Sequence, residues 1–197
     1  DYYQPYINKF GVIRVINDDI LHVNSGHDLH KHKDVEIITY MISGELTHTP
    51  KIGMPKKLTR GELYYMSAGS GMEHAEFNWG EKPVRMIQLW IRPNQKNVAP
   101  KVEYGCFKRE QRFNQWQKIV SDLEHEAPIQ IHQEVNIWVS EVEANRDLDF
   151  DILKNRQAYL IQLEGESMIN NIAMSEKDGM EIFEEPIKIK TVRPSLF

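Results

Sequence analysis

Two short pairs of residues in this chain carry the groups that could do chemistry. His30 and His32 are separated by one residue, and so are His74 and Glu76. On a β-strand, residues two apart share a face at a Cα spacing of ~6.6–6.8 Å. One pair therefore presents two imidazoles side by side, and the other an imidazole and a carboxylate. If the two strands lie opposite one another across a small β-barrel, four nitrogen and oxygen ligands converge on one point. Such a set suits one divalent transition metal, with iron as the first expectation and nickel, cobalt, manganese, copper and zinc as alternatives. Four protein ligands leave one or two positions open on a five- or six-coordinate ion, an arrangement for chemistry rather than a closed structural site.

The chain has eight histidines in 197 residues, and chance alone supplies ~0.3 His-x-His pairs in such a sequence, so the first pair by itself says little. Its setting says more. It precedes a strand and a glycine turn, and the second pair follows a glycine-rich bend. His22, His27, His48, His125 and His132 read as surface groups or as neighbours of the ligands.

The elements around the pairs read as strands. Val12–Ile16 is a β-branched run closed by Asn17-Asp18-Asp19. Val35–Ile42 is a longer run stopped by Ser43-Gly44, and Glu45–His48 returns from it, so Gly44 reads as a hairpin turn. Glu62–Met66 follows a turn at Arg60-Gly61, and Val84–Ile91 ends at Pro93. The second half repeats this punctuation: Ala158–Leu163 runs into Glu164-Gly165-Glu166, and Asp178-Gly179 precedes Met180–Phe183. Short strands between turn residues, with no sustained helical period, indicate an all-β chain of two tandem units. The expected division is a metal-binding unit at 1–100, a linker at 101–128 and a metal-free unit at 129–197. Phe113–Leu123 reads as either a short helix or an extended piece.

Hydrophobic residues make up 41% of the chain and the formal net charge is −5. That balance offers no basic stripe for direct nucleic-acid binding, and no apolar run approaches the ~20 residues that span a bilayer. A single cysteine, Cys106, removes disulfide frameworks and cysteine-based zinc sites. One free thiol fits a reducing compartment, so the expected location is cytoplasmic. The chain begins at Asp1 with no basic-then-apolar leader, and its ends read as trimmed.

Gly26, His30, His32, Glu36 and Gly44 resemble the first cupin motif; Gly61, Gly69, His74 and Asn78 resemble the second. The resemblance to the pirin family is closer still. Phe10–Asp19 is similar to that family's early strand and turn, and His30-Lys31-His32-Lys33-Asp34-Val35-Glu36-Ile37 to its first metal motif. Ala68–Phe77 is similar to its second motif, and Gln88-Leu89-Trp90-Ile91 to the strand that follows. The resemblance implies a bicupin, two tandem antiparallel β-barrels, of which only the first holds metal, through His30, His32, His74 and Glu76. It implies that Glu36, at the usual cupin carboxylate position, is not a ligand. Two departures, Lys31 in place of proline and His27 in place of an aromatic residue, alter the mouth of the site without removing a ligand.

Pirin-like bacterial proteins are similar to quercetin 2,3-dioxygenases, which open a flavonol ring with O₂. The resemblance thus implies an oxidoreductase with a small aromatic substrate such as a flavonol, with Glu76 both binding metal and accepting the 3-hydroxyl proton. Met66, Met72, Phe77 and Trp90 are candidate walls for a flat substrate. The alternative is a metal-dependent regulatory protein that acts on a protein partner, a transcription regulator, without turnover. A phosphosugar isomerase is set aside because no run of cations reads as a phosphate cradle.

Overall fold

The structure is a computed structural model that describes residues 10–197. The chain folds into two compact units: one runs to Phe107 and takes in 119–137, and the other consists of 108–118 with 138–197.

The first unit contains strands β1 (Ile13–Leu21), β2 (Ser25–His32), β3 (Glu36–Ser43), β4 (Leu46–Pro50), β5 (Lys56–Leu58), β6 (Glu62–Ser67), β7 (Met72–Asn78), β8 (Val84–Ile91) and β9 (Lys101–Cys106). They form a five-stranded sheet in the order β1-β8-β3-β6-β9 and a four-stranded sheet in the order β2-β7-β4-β5. The apolar core draws on both sheets. Ile37 and Met41 of β3, Tyr64 and Met66 of β6 and Met86 of β8 pack with Leu46 of β4, Leu58 of β5 and Met72 of β7. β3 is buried at every position from Glu36 to Ile42, which explains its continuous rather than alternating apolar run.

Gly44 is not a hairpin turn. β3 pairs with β6 and β8, whereas β4 pairs with β5 and β7, so Gly44 carries the chain from one sheet to the other. Its φ is +80°, and a Cβ there would lie 2.6 Å from the Pro83 carbonyl oxygen; only glycine fits that corner. Gly61 joins β5 to β6 across the same divide.

Residues 101–128 do not form a plain linker. Lys101–Cys106 is β9, paired along its length with β6, because its half-buried Val102 and Tyr104 pack on the first core. A one-turn helix, α1 (Arg109–Arg112), follows. Gln117–Asp122 is then extended as β10, which settles the ambiguity over that segment as strand. β10 pairs in parallel with β11 (Ile129–Ile131) through Val120↔Ile129 and its two successors.

After β12 (Ile137–Val139), the second unit runs through β13 (Glu141–Val142), β14 (Asp147–Phe150), β15 (Gln157–Ile161), β16 (Glu166–Ile169), β17 (Ile172–Ser175), β18 (Gly179–Phe183), β19 (Ile187–Thr191) and β20 (Ser195–Leu196). β14-β19-β16-β17 make one sheet, and β15 pairs with β18 in another. Gly165 and Gly179 thus mark crossings between sheets, as Gly44 and Gly61 do in the first unit. Val142, Leu160, Ile169, Met174, Ile182, Ile187 and Ile189 form the core of this unit. The sequence places no histidine and no cysteine in 108–118 or 138–197.

Candidate metal centre

The centre is built on β7 and the strands on either side of it. Along β7, Met72, His74, Glu76 and Asn78 are buried while Glu73, Ala75 and Phe77 are half-buried, the alternation that a pleated strand imposes. β2 sets His30 opposite His74, and β4 sets Pro50 opposite the same residue. His27 and His48, from the two flanking strands, both lie opposite Glu76. The expected ligands therefore come from hydrogen-bonded neighbours in one sheet, not from strands facing each other across a barrel. Directly opposed residues hold their Cβ atoms ~4.5–5.5 Å apart, close enough for two imidazoles to share an ion. Gly26 permits the approach: a Cβ on it would sit 2.2 Å from the Glu76 carbonyl oxygen.

His30, His32 and His74 each bring one ring nitrogen to within 4.8 Å of the others, with ring centroids 4.5–5.1 Å apart. Nδ1 of His30 lies 2.7 Å from the Asp28 carbonyl oxygen and donates to it, which leaves Nε2 with the lone pair. Nδ1 of His74 is 3.0 Å from Nε2 of His48, and Nδ1 of His48 is 3.0 Å from the Tyr104 hydroxyl. His48 also stacks on the Tyr64 ring at 3.9 Å and 3°. The other nitrogen of His74, Nε2, is buried and has no hydrogen-bond partner among the described residues. A buried polar atom in that state costs ~1–3 kcal/mol, and an ion shared with His30 and His32 would satisfy it. Burial pushes His74 down to about 3 and His48 down to about 4. Burial and then the His30 charge lower His32. His32 and His74, the two of these in the cluster, are thereby held neutral near pH 7, as metal ligation by imidazole requires.

Glu76 is 1% exposed and does not join the three-nitrogen group. Its Oε1 accepts from the Tyr64 hydroxyl at 2.5 Å and from Gln88 Nε2 at 3.1 Å; its Oε2 accepts from Gln88 at 3.3 Å and from His27 Nδ1 at 3.4 Å. Trp90 Nε1 in turn donates to Gln88 Oε1 at 2.8 Å. Burial opposes the Glu76 charge, but the hydrogen bonds from His27 and Tyr64, together with the neighbouring His74 and His48, outweigh it and hold the carboxyl down to about 2. The same bond to Glu76 raises His27.

The buried Glu36 carboxylate is turned elsewhere. It accepts from the Tyr65 hydroxyl, from Ser67 Oγ at 2.8 Å and from the His132 backbone N–H at 3.3 Å. Of the four candidate walls, Met66 and Met72 are core residues, and Phe77 stacks on Trp79 on the other face of β7. Met72 lies opposite His32 in the sheet, and Trp90 meets the histidines, its ring 4.9 Å from that of His32.

Two neighbours of the expected ligands do not stand out in the sequence. His48 lies in the inward row of β4 with Leu46 and Pro50, so a period of two is the signal that marks it. His27 has the wrong parity to face His30, but an irregularity in β2 between His27 and His30 turns it to Glu76. Bulges re-aim side chains in this way, and alternation alone does not foresee them.

Sheets folded around a core in each unit, with a histidine cluster in the first alone, define a two-domain cupin. The chain belongs to the pirin family. Residues 1–91 match the family model described as Pirin, and residues 118–195 match the one described as Quercetinase C-terminal cupin domain. A Pasteurella multocida relative is 34% identical over 201 residues, covering 100% of this chain and 85% of its own. The Escherichia coli K12 protein named quercetin 2,3-dioxygenase is 29% identical, covering 94% of this chain and 79% of its own. The crystal structure of the bacterial pirin YhhW from Escherichia coli in complex with nickel(II) superposes with a TM-score of 0.90 at 28% identity, covering 100% of this chain and 84% of that one.

Proposed function

We propose that the chain is a metal-dependent oxidoreductase of the quercetin 2,3-dioxygenase type, with His30, His32 and His74 as ligands of one divalent metal, iron first among the candidates, and with Glu76 as the fourth once it turns from its present hydrogen bonds to Tyr64, Gln88 and His27. The observation that carries this reading is the buried, unpartnered Nε2 of His74 beside His30 and His32. The nickel(II) complex of the pirin YhhW and the name of the Escherichia coli relative support it.

When bound, the ion supplies Lewis acidity that makes a coordinated hydroxyl easier to deprotonate. The chain does the rest. Asp28 and His48 fix the tautomers of His30 and His74, so that lone pairs rather than N–H bonds meet the ion. Tyr64, Gln88 and His27 hold the Glu76 carboxylate ionised, and Glu76 accepts the 3-hydroxyl proton of a flavonol. Trp90 offers a flat apolar wall beside His32.

The test is anaerobic loading with Fe(II), Ni(II), Co(II), Mn(II) or Cu(II), followed by exposure to air and measurement of flavonol absorbance. Turnover that tracks bound metal is the expected result. Stoichiometric binding without turnover for every metal would sink the enzyme reading and leave a metal-dependent regulatory binding protein.

A further inference from the structure

A cleft of about 360 Å³ opens beside His32 and Trp90, and four cations surround it: Arg14, Lys31, Lys33 and Arg92. These residues are scattered in sequence, which is why no cradle of positive charge is legible there. Strand register gathers them. Ile13 pairs with Ile91 and Val15 with Trp90, which leaves Arg14 as the extra residue of a bulge in β1. A bulge is the device that re-aims a side chain at the edge of a site. Arg14 is anchored by Nη1, which donates to the Gly11 and Ile13 carbonyl oxygens at 3.1 Å each.

The charge in the cleft is poorly balanced. Among the described residues Asp34 is the one acid that lines it, and its Oδ1 already accepts from the Asn97 backbone N–H at 2.7 Å. Lys31 shares the field of Glu73, itself paired with Lys51. Arg14, Lys33 and Arg92 make no ion pair among the described residues. Burial, and then the facing charge of Arg92, lower the Arg14 guanidinium. Guanidinium groups that share a cleft and make no ion pair form a site suited to an anion.

We propose that this cleft is a subsite for an anionic substituent (carboxylate, sulfate or phosphate) on an aromatic substrate whose reacting end lies at the histidines. Trp90 and His32 wall the cleft on the metal side, and Arg14, Lys33 and Arg92 take the charge. That the cleft receives substrate rests on the function proposed above; that it binds an aromatic anion does not.

The test uses the full chain, with and without Ni(II), and tryptophan fluorescence as the readout. The metal-loaded protein is titrated with 3-hydroxyflavone and with its sulfonated derivative; the metal-free protein with 2-naphthol and with naphthalene-2-sulfonate. The sulfonates are expected to bind roughly five- to tenfold more tightly than their neutral counterparts. Raising the salt from ~0.01 M to ~1 M, which shortens the Debye length from about 30 Å to about 3 Å, should remove most of that advantage. Lys33→Gln and Arg92→Gln change exposed side chains; each should reduce the preference without loss of bound nickel. A sulfonate preference that survives both substitutions and high salt, or no preference at all, overturns the subsite. If naphthalene-2-sulfonate behaves as expected while 3-hydroxyflavone neither binds nor turns over, the subsite stands and the flavonol reading falls.

Discussion

Nε2 of His48 lies 3.0 Å from Nδ1 of His74, and that contact decides which nitrogen of His74 is free to meet an ion. With Nδ1–H donated to His48, the His74 lone pair is on Nε2. His48 must then carry its own proton on Nδ1, toward Tyr104. Partners of this kind typically contribute 10–100-fold to metal affinity. His48→Ala should therefore weaken metal binding by about that factor, measured by competition with a chromophoric chelator. His48→Gln, which keeps an acceptor, should recover part of it. Equal affinity in all three proteins would show that the contact orients nothing.

Loss of a ligand should be more severe than loss of its support. In His32→Ala, metal content after purification should fall at least tenfold by elemental analysis, since water would have to complete the site. The wild-type chain should hold about one equivalent of metal, because the second unit has no histidine with which to build a like site. A second tightly bound equivalent would contradict the assignment.

Glu76→Gln separates two roles. A general base contributes 10²–10⁴-fold, or about 3–5 kcal/mol of barrier, so turnover per bound metal should fall within that range while metal content falls only modestly. The amide also turns a donor toward Gln88 Nε2 or Tyr64, which now give hydrogen bonds to the carboxylate. A stability loss of ~1–3 kcal/mol is therefore expected as well, read as a shift in the urea midpoint. In His30→Ala, by contrast, activity should track occupancy. Near-normal turnover per metal in Glu76→Gln would move the base elsewhere.

Acid should destabilise the metal-free protein in a defined window. His48 is held neutral, its folded pKa pushed down to about 4 from 6.5 by burial, so between those values the unfolded chain binds a proton that the folded chain refuses. Stability is fully present above about pH 6.5 and falls as pH drops toward 4, by about 3 kcal/mol from this residue alone. His74, pushed down to about 3 by burial, adds a loss over the same range, and Glu76, with its pKa held down to about 2 from 4.5, adds another as pH falls below 4.5. The melting temperature of the metal-free chain should decline between pH 6.5 and 4, and His48→Gln should flatten that slope. An unchanged slope would mean His48 is not the group refusing the proton.

Chelation should leave the fold in place, because each unit has its own apolar core, around Ile37 and Met86 in the first and Ile169 and Ile189 in the second. Circular dichroism before and after metal removal checks this; global unfolding would refute it.

The residues of the centre are legible in the sequence because β7 obeys a strict period of two, and that period assigns a face. It does not assign a neighbour. Nothing in the spacing of His30 and His74 says that β2 and β7 are paired rather than opposed, since pairing is set by the whole sheet. The apolar run Ile37–Ile42 announces a buried strand, and Gly44 and Gly61 announce breaks, but not that the chain changes sheets there. β9 is hidden because Lys101, Glu103 and Cys106 dilute its pattern, and its packing onto the first core is tertiary. The same limit hides the cationic cleft, whose members meet only through register and a bulge.

Among the described residues β2 is an edge strand, bonded to β7 on one side only, and its residues from Ser25 to His32 are half-buried or exposed throughout. Apolar burial therefore does little to hold its alignment, and a strand of this kind is prone to slip. A shift of one residue would turn His30 and His32 away from His74 together. An ion that binds all three penalises every alignment but the observed one, so metal loading acts as a clamp on strand register. Amide protons of β2 should accordingly exchange more slowly with metal bound, while those of β3, already sealed in the core, should not change.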